Sequence, residues 1–293
     1  MIPAPLRLLL AVTALCLAHG LQAQTTTLFE VSDGDSRVLI GGTIHLLHPS
    51  DFPLPQAFDA AYEEADKLYL ETDLATVEAP AFGQQIAQAM LYPAGKNLKT
   101  ELSPEVWQEV ERYAEVNQFP IQQFLGFDPV FVGILMTVMK AQSLGIQEGV
   151  DQYYYRKAQI DGLPLGELET AEEVLNYMEG MTGLDPDAVM QATLQELKDF
   201  DQRMEETVKA WREGDLDALD RDLGEPMRRE SPEFYQKLLV DRNSQWLPTV
   251  KRMFQQPGTE LVLVGSLHLA GKQSLLDMLA REGYRVGPYR PLE

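Results

Sequence analysis

The alternation of apolar and polar positions divides the chain into three stretches. Residues 27–32 and 37–41 are strand-like runs around an Asp-Gly-Asp turn, which predicts a β-hairpin. Apolar residues at helical spacing over 57–66 predict a helix, and 67–74 reads as a strand. From about 79 to 256 the pattern is mostly helical. Within it Ser103-Pro104-Glu105 marks a helix start, with Ser103 as N-cap. Residues 128–141 are apolar nearly all round and read as a buried helix. Another helix opens over 150–158, a short strand follows at 163–169, and 185–213 reads as one long polar helix. A further helix over 231–255 is expected to kink or break near Pro248. The last stretch mirrors the first. Residues 259–264 form a continuous apolar strand, as in the centre of a sheet, followed by a helix over 271–282 that stops at Gly283 and a short strand at 284–286. The pattern predicts an α/β (α+β) fold: a central mixed β-sheet built from both chain ends, flanked by helices, with a large helical insertion over about 79–256.

The N-terminus changes the picture of where this fold works. Arg7, the apolar run 8–18 and Leu21-Gln22-Ala23 have the form of a cleavable signal peptide, residues 1–23, so the protein is expected to be exported, periplasmic or secreted. The run is too short to span a bilayer, so no membrane span is expected in the mature chain. Lipidation at Cys16 is disfavoured by the bulky Leu15 before it. Cleavage after Ala23 would leave a domain of residues 24–293 without cysteine, held by its core rather than by disulfides. The formal charge of −21 over 293 residues argues against nucleic acid and anionic membranes as partners.

Candidate chemistry gathers at strand ends. The stretches VLIGGTIHLLHPSD (38–51) and LVLVGSLHLAGKQS (261–274) share one design, an apolar run followed by Gly-x-x-His, in a chain with only four histidines. Sites in open α/β sheets lie beyond the carboxyl ends of the strands. His45 and His268 fall there, and Glu71 closes the strand that begins at 67. A lone histidine after a strand is more often structural; two in matching contexts, with a carboxylate, predict a divalent-metal site for zinc, manganese, cobalt or iron. The glycines are expected to let the backbone turn sharply off the strand and come close to a neighbour. His48 could chelate beside His45 on a helical turn, but Pro49 favours a loop and an exposed or supporting role. Period two would put Glu167 and Glu169 on one face with Leu168 opposite, either solvated or toward the site. Arg242 and Asn243 lie beside an apolar helix stripe, where an arginine suits a carboxylate or oxyanion. The run Tyr153–Tyr155 suits packing more than ligand capture. There is no His-Glu-x-x-His, no Gly-x-Gly-x-x-Gly, no P-loop and no Gly-x-Ser-x-Gly, so a triad at Ser266 has no support.

Taken in order, Gly42-Thr43-Ile44-His45, the acidic strand 67–74 with Glu71, the segment 162–170 with Glu169, Asp241-Arg242-Asn243 and the second Gly-x-x-His at 265–268 resemble the motifs of the TraB/GumN family. These are relatives of the Tiki metalloproteases and PrgY-type pheromone-shutdown proteins, and the resemblance runs from about Leu28 to Val286. It implies a fold like that of the erythromycin-esterase and ChaN-like superfamily. It also implies a metal-dependent hydrolase with peptide bonds as the best-known target. The expected function is therefore an exported metallopeptidase. His45, His268 and Glu71 would hold the metal, and Glu71 or Glu169 would take a proton from the attacking water. Arg242 would stabilise the oxyanion and Asn243 would orient the substrate or Arg242. The alternatives are a non-catalytic protein binding a metal, haem or peptide in the same cleft, and an esterase for a small-molecule substrate.

Overall fold

A turn at Gly34 folds β1 (Leu28–Ser32) back onto β2 (Arg37–Thr43), with Leu28 opposite Gly41 and Ser32 opposite Arg37. In the computed structural model, which describes residues 26–291, this hairpin joins a six-stranded sheet; the expected signal segment lies outside the described residues. The other strands are β3 (Lys67–Leu70), β4 (Leu165–Glu167), β5 (Glu260–Gly265) and β6 (Arg285–Pro288), in the spatial order β4-β3-β5-β2-β1-β6. Strands β4, β3, β5 and β2 run parallel, while β1 is antiparallel to both β2 and β6. The uninterrupted apolar run of β5 is thus explained: it lies between β3 and β2 with every residue buried. The sheet is mixed and flanked by helices, an α/β architecture, and besides both chain ends it takes β4 from the middle of the chain.

Side-chain alternation along the strands feeds two cores. On one face Leu39, Leu68, Leu70, Leu261 and Leu263 pack against Phe58, Tyr154 and Trp211. These come from α1 (Gln56–Glu64), α4 (Val150–Asp161) and α7 (Phe200–Glu213). On the other face Val38, Ile40, Val262 and Val264 pack against Trp246 and Val250 of α8 (Arg242–Met253) and Leu275 and Leu279 of α9 (Leu275–Arg281). A separate core unites α2 (Pro104–Asn117), α3 (Pro129–Ser143) and α6 (Pro186–Lys198) through Trp107, Val110, Val132, Met136, Met190 and Leu197. A further helix, α5 (Ala171–Gly180), carries Tyr177. Among the described residues no helix is long and apolar enough to cross a membrane. At Gly41 a methyl group would lie 2.8 Å from Leu263 Cδ2 and 2.9 Å from Phe58 Cε1. Gly41→Ala is expected to cost about 1–3 kcal/mol by overpacking, read from urea unfolding; an unchanged midpoint would show slack in this core.

Three expectations are corrected. Residues 185–213 are two helices, broken at Asp199 (φ −117°, ψ 28°), because Met190 and Leu197 serve the helical core while Val208 and Trp211 serve the sheet. The helix over Pro248 does not break. Pro248 and Ser244, whose carbonyl it cannot bond, are both exposed, so water can take that carbonyl. The irregularity lies earlier, in a π-helical turn at Gln236–Asp241 immediately before Arg242. The strand at 163–169 stops at Glu167, which is exposed, whereas Leu168 and Glu169 are both buried; the two glutamates do not share a face. Tyr154 is fully buried among Phe58 and Tyr62, and Tyr153 meets it edge-on at 5.0 Å, so the tyrosine run packs the core.

Candidate functional site

The register of the parallel strands sets their carboxyl ends side by side: Thr43 faces Gly265, and Leu70 faces both Leu263 and Glu167. The two Gly-x-x-His segments touch there. A methyl group at Gly42 would lie 3.0 Å from Ser266 Oγ and 3.1 Å from its Cα; one at Gly265 would lie 3.0 Å from His45 Nε2 and 3.3 Å from Glu71 Oε1. Neither glycine has a positive φ, so close approach and not a sharp turn explains both. Ser266 Oγ donates to Thr43 O (2.8 Å) and thereby ties the two motifs together.

Both imidazoles turn the same atom toward one carboxylate. His45 Nε2 lies 3.8 Å and His268 Nε2 3.9 Å from Glu71 Oε1. Each ring is held at its other nitrogen. His45 Nδ1–H donates to Asp151 Oδ2 (2.8 Å), and Asp151 Oδ1 accepts from Thr43 Oγ1 (2.8 Å). His268 Nδ1–H donates to Asn243 Oδ1 (2.8 Å). The Asn243 amide is fixed in that sense because its Nδ2 donates to the carbonyls of Gln273 (3.0 Å) and His268 (3.5 Å). Gln273 adopts φ 65°, a left-handed conformation that a non-glycine residue rarely takes. The rings differ in access: the side chain of His45 is 57% exposed and that of His268 only 4%.

Arg242 forms the floor. Its Nε donates to Glu169 Oε2 (3.0 Å), and Nη2 donates to Glu169 Oε1 (2.5 Å) and Glu71 Oε2 (2.6 Å). Nη1 donates to His268 Nε2 (3.2 Å) and Leu238 O (3.5 Å). The guanidinium lies over the rings of Trp246 and Tyr177, 4.7 and 5.1 Å from their centroids. Trp246 also donates Nε1–H to Glu169 Oε2 (3.0 Å) and packs on His268 at 4.4 Å. The remaining oxygen of Glu71, Oε1, accepts from Gly265 N at 2.6 Å. The residues named from the sequence, His45, His268, Glu71, Glu169, Arg242 and Asn243, thus come together in one cluster.

Their titration follows from these contacts. Burial works against the charge on Glu71, but Arg242 foremost, joined by His268 and His45 when those rings carry a proton, outweighs it and holds the carboxyl well below the usual range. Burial raises Glu169 despite Arg242, and it pushes His268 down to about 3, keeping that ring neutral. The Asp151 carboxylate pushes His45 up to about 9. Burial opposes the charge on Arg242 as well, but Glu71 and Glu169 keep it firmly protonated.

These residues suit a divalent cation by donor type, ring orientation and charge. Glu71 and Glu169 face the Arg242 guanidinium and Asp151 faces His45, so three carboxylates meet one fixed positive charge and the cluster is negative when both imidazoles are neutral. Histidine ligands characteristically anchor their second nitrogen on a carboxylate or amide oxygen, as both do here. As they lie, no group of three His, Cys, Asp or Glu among the described residues is close enough to hold an ion. A tetrahedral site with bonds of roughly 2.0–2.1 Å needs donors about 3.3 Å apart, so the pairs at 3.8 and 3.9 Å would have to close by about half an ångström.

His48 stands outside the cluster. Exposed, it accepts from Ser50 N (3.1 Å) and lines a different cavity of about 660 Å³ with Leu144, Met204 and Arg212. Sequence reasoning missed Asp151, Trp246 and Tyr177. Asp151 lies 106 positions from His45, and nothing but folding joins them.

Comparison with known proteins agrees with the family resemblance. Protein YbaP of Escherichia coli (strain K12), described as uncharacterized, is 25% identical over 251 residues, covering 81% of this chain and 86% of its own. The protein of the same name in Shigella flexneri matches equally. No solved structure matches significantly. The TraB/PrgY/gumN family model matches residues 27–288, and the chain belongs to that family.

Proposed function

We propose that the protein is an exported, divalent-metal-dependent hydrolase acting on peptide bonds. One observation carries this reading: two imidazole Nε2 atoms, each ring fixed at Nδ1, converge on Glu71 Oε1 at the end of a parallel sheet. His45 Nε2, His268 Nε2 and Glu71 Oε1 would hold the ion. When bound, it would lower the pKa of a water toward roughly 7 and polarise the scissile carbonyl. Export rests on the N-terminal sequence.

The chain's own groups divide the remaining work. Asp151 and Asn243 keep the two rings facing inward. Arg242 holds Glu71 by Oε2 and leaves Oε1 toward the imidazoles. Every N–H of Arg242 is engaged and the side chain is buried, so we assign it to positioning rather than to oxyanion contact. Glu169, enclosed by Arg242 and Trp246, supports Arg242; of the two glutamates Glu71 is the ligand. Substrate approaches from the exposed side of His45.

One contact favours a second reading. Arg242 Nη1, 3.2 Å from His268 Nε2, takes the lone pair that an ion would need. In that reading the site hydrolyses a small ester without metal at alkaline pH, where His45 has lost its proton and serves as general base oriented by Asp151, as in histidine–aspartate catalytic pairs. The test is elemental analysis of protein purified without added metal, with turnover of a peptide library and generic esters measured with and without chelator. The expected result is about one ion per chain, lost in His45→Ala without unfolding because that ring is largely exposed, and peptide cleavage that chelation stops. Metal-free protein with chelator-insensitive ester turnover would replace the first reading by the second.

A further inference from the structure

The segment Gln147–Asp151 follows α3 and leads into α4, and it lies along the loop that carries His45. Gln147 N donates to Leu47 O (3.0 Å), Leu47 N to Glu148 O (3.3 Å) and Val150 N to Ile44 O (3.0 Å). Between these bonds Gly149 presses on the His45 backbone: a methyl group there would lie 2.2 Å from Ile44 O and 2.3 Å from His45 C and O. Its φ of −100° is open to any residue, so the space and not the conformation demands glycine. Asp151 follows two residues later. An aspartate in the first turn of a helix ordinarily caps a free N–H or faces water. Asp151 does neither. The capping bond is made by Gln152, whose Oε1 accepts from Gly149 N (3.1 Å), while Asp151 is only 4% exposed and bonds Thr43 and His45.

We infer that Gln147–Asp151 is a positioning clamp for His45: the backbone bonds fix the loop, Gly149 sets its distance, and Asp151 selects the nitrogen that faces the cleft. With Nδ1–H donated to Asp151, Nε2 is the atom left toward Glu71. The helical stretch thereby contributes to a site whose other members come mainly from the sheet and α8. The inference rests on the assignment of His45 to the site and not on the identity of any ion.

Two variants isolate the contact. Asp151→Asn keeps an oxygen within reach of Nδ1 and an amide for Thr43. Asp151→Ser stays polar but is too short to reach the ring. Both are solved as metal-free crystal structures beside the parent, and manganese binding is measured by calorimetry, with thermal melts to confirm folding. In Asp151→Asn the ring should keep its place and the affinity should stay near the parent value. In Asp151→Ser the ring should turn away from Glu71 and the manganese affinity should fall about 10–100-fold. A ring that keeps its place in Asp151→Ser overturns the clamp, whatever the manganese does. A parent protein that takes up no manganese overturns the metal reading and leaves the ring comparison to decide the clamp.

Discussion

Arg242→Ala is expected to lower the stability of the protein by about 3–5 kcal/mol, the usual consequence of removing one partner from a buried ion pair. Arg242 is shared by two buried carboxylates. Without it, Glu71 would keep the Gly265 N–H and only the more distant His45 as countercharge, and Glu169 would keep the Trp246 N–H and no countercharge among these contacts. Trp246 and Tyr177 would also lose the cation that lies over their rings. At about 2–4 °C per kcal/mol for a domain somewhat smaller than this one, the melting temperature should fall by roughly 10 °C. Calorimetric or denaturant unfolding measures this directly. Arg242→Lys should recover only part of the loss, because a point charge cannot reproduce the fork that spans Nε and Nη2. A melting temperature unchanged in Arg242→Ala would mean that the buried network contributes nothing to stability.

Gly265→Ala should do the reverse, sparing the fold and emptying the site of function. The backbone there (φ −51°, ψ 136°) is open to alanine, so stability should change by no more than about 1 kcal/mol. The new methyl would stand 3.0 Å from His45 Nε2 and 3.3 Å from Glu71 Oε1, against two of the three proposed donors. Manganese affinity should fall on the order of 100-fold or more. Calorimetric titration with a parallel thermal melt separates the two effects. Equal affinity in parent and variant would show that the imidazoles do not converge on an ion at this place.

Much of this was legible in the sequence, for physical reasons. The central position of β5 followed from an apolar run with no polar face. The meeting of His45 and His268 followed from two like motifs at the ends of parallel strands. Glu169, Arg242 and Asn243 were singled out by the family resemblance; residue type and spacing alone would not have chosen them. Asp151 was illegible because, in sequence, an acid in a first helical turn looks like any other. The break at Asp199 was hidden because helical spacing on either side does not say which core an apolar stripe will meet. The pairing of Glu167 with Glu169 assumed a strand that continued; instead both Leu168 N and Glu169 N donate to Glu71 O (3.2 and 2.9 Å), and the chain turns inward there.

The π-helical turn at Gln236–Asp241 makes the cluster sensitive to chain length in a way that substitutions would not reveal. Deleting a single residue there would let the segment relax into ordinary α-helix. Everything before or after the deletion would then rotate by about 100° relative to the rest. With α8, Arg242 and Asn243 included, anchored to the sheet by Val250 and Met253, the rotation would fall on the residues before the turn, among them Tyr235, which packs with Leu239 and Val240. A homologue that had lost that extra residue could keep the same helix and the same two histidines and still lack the Leu238 carbonyl that Arg242 Nη1 meets here.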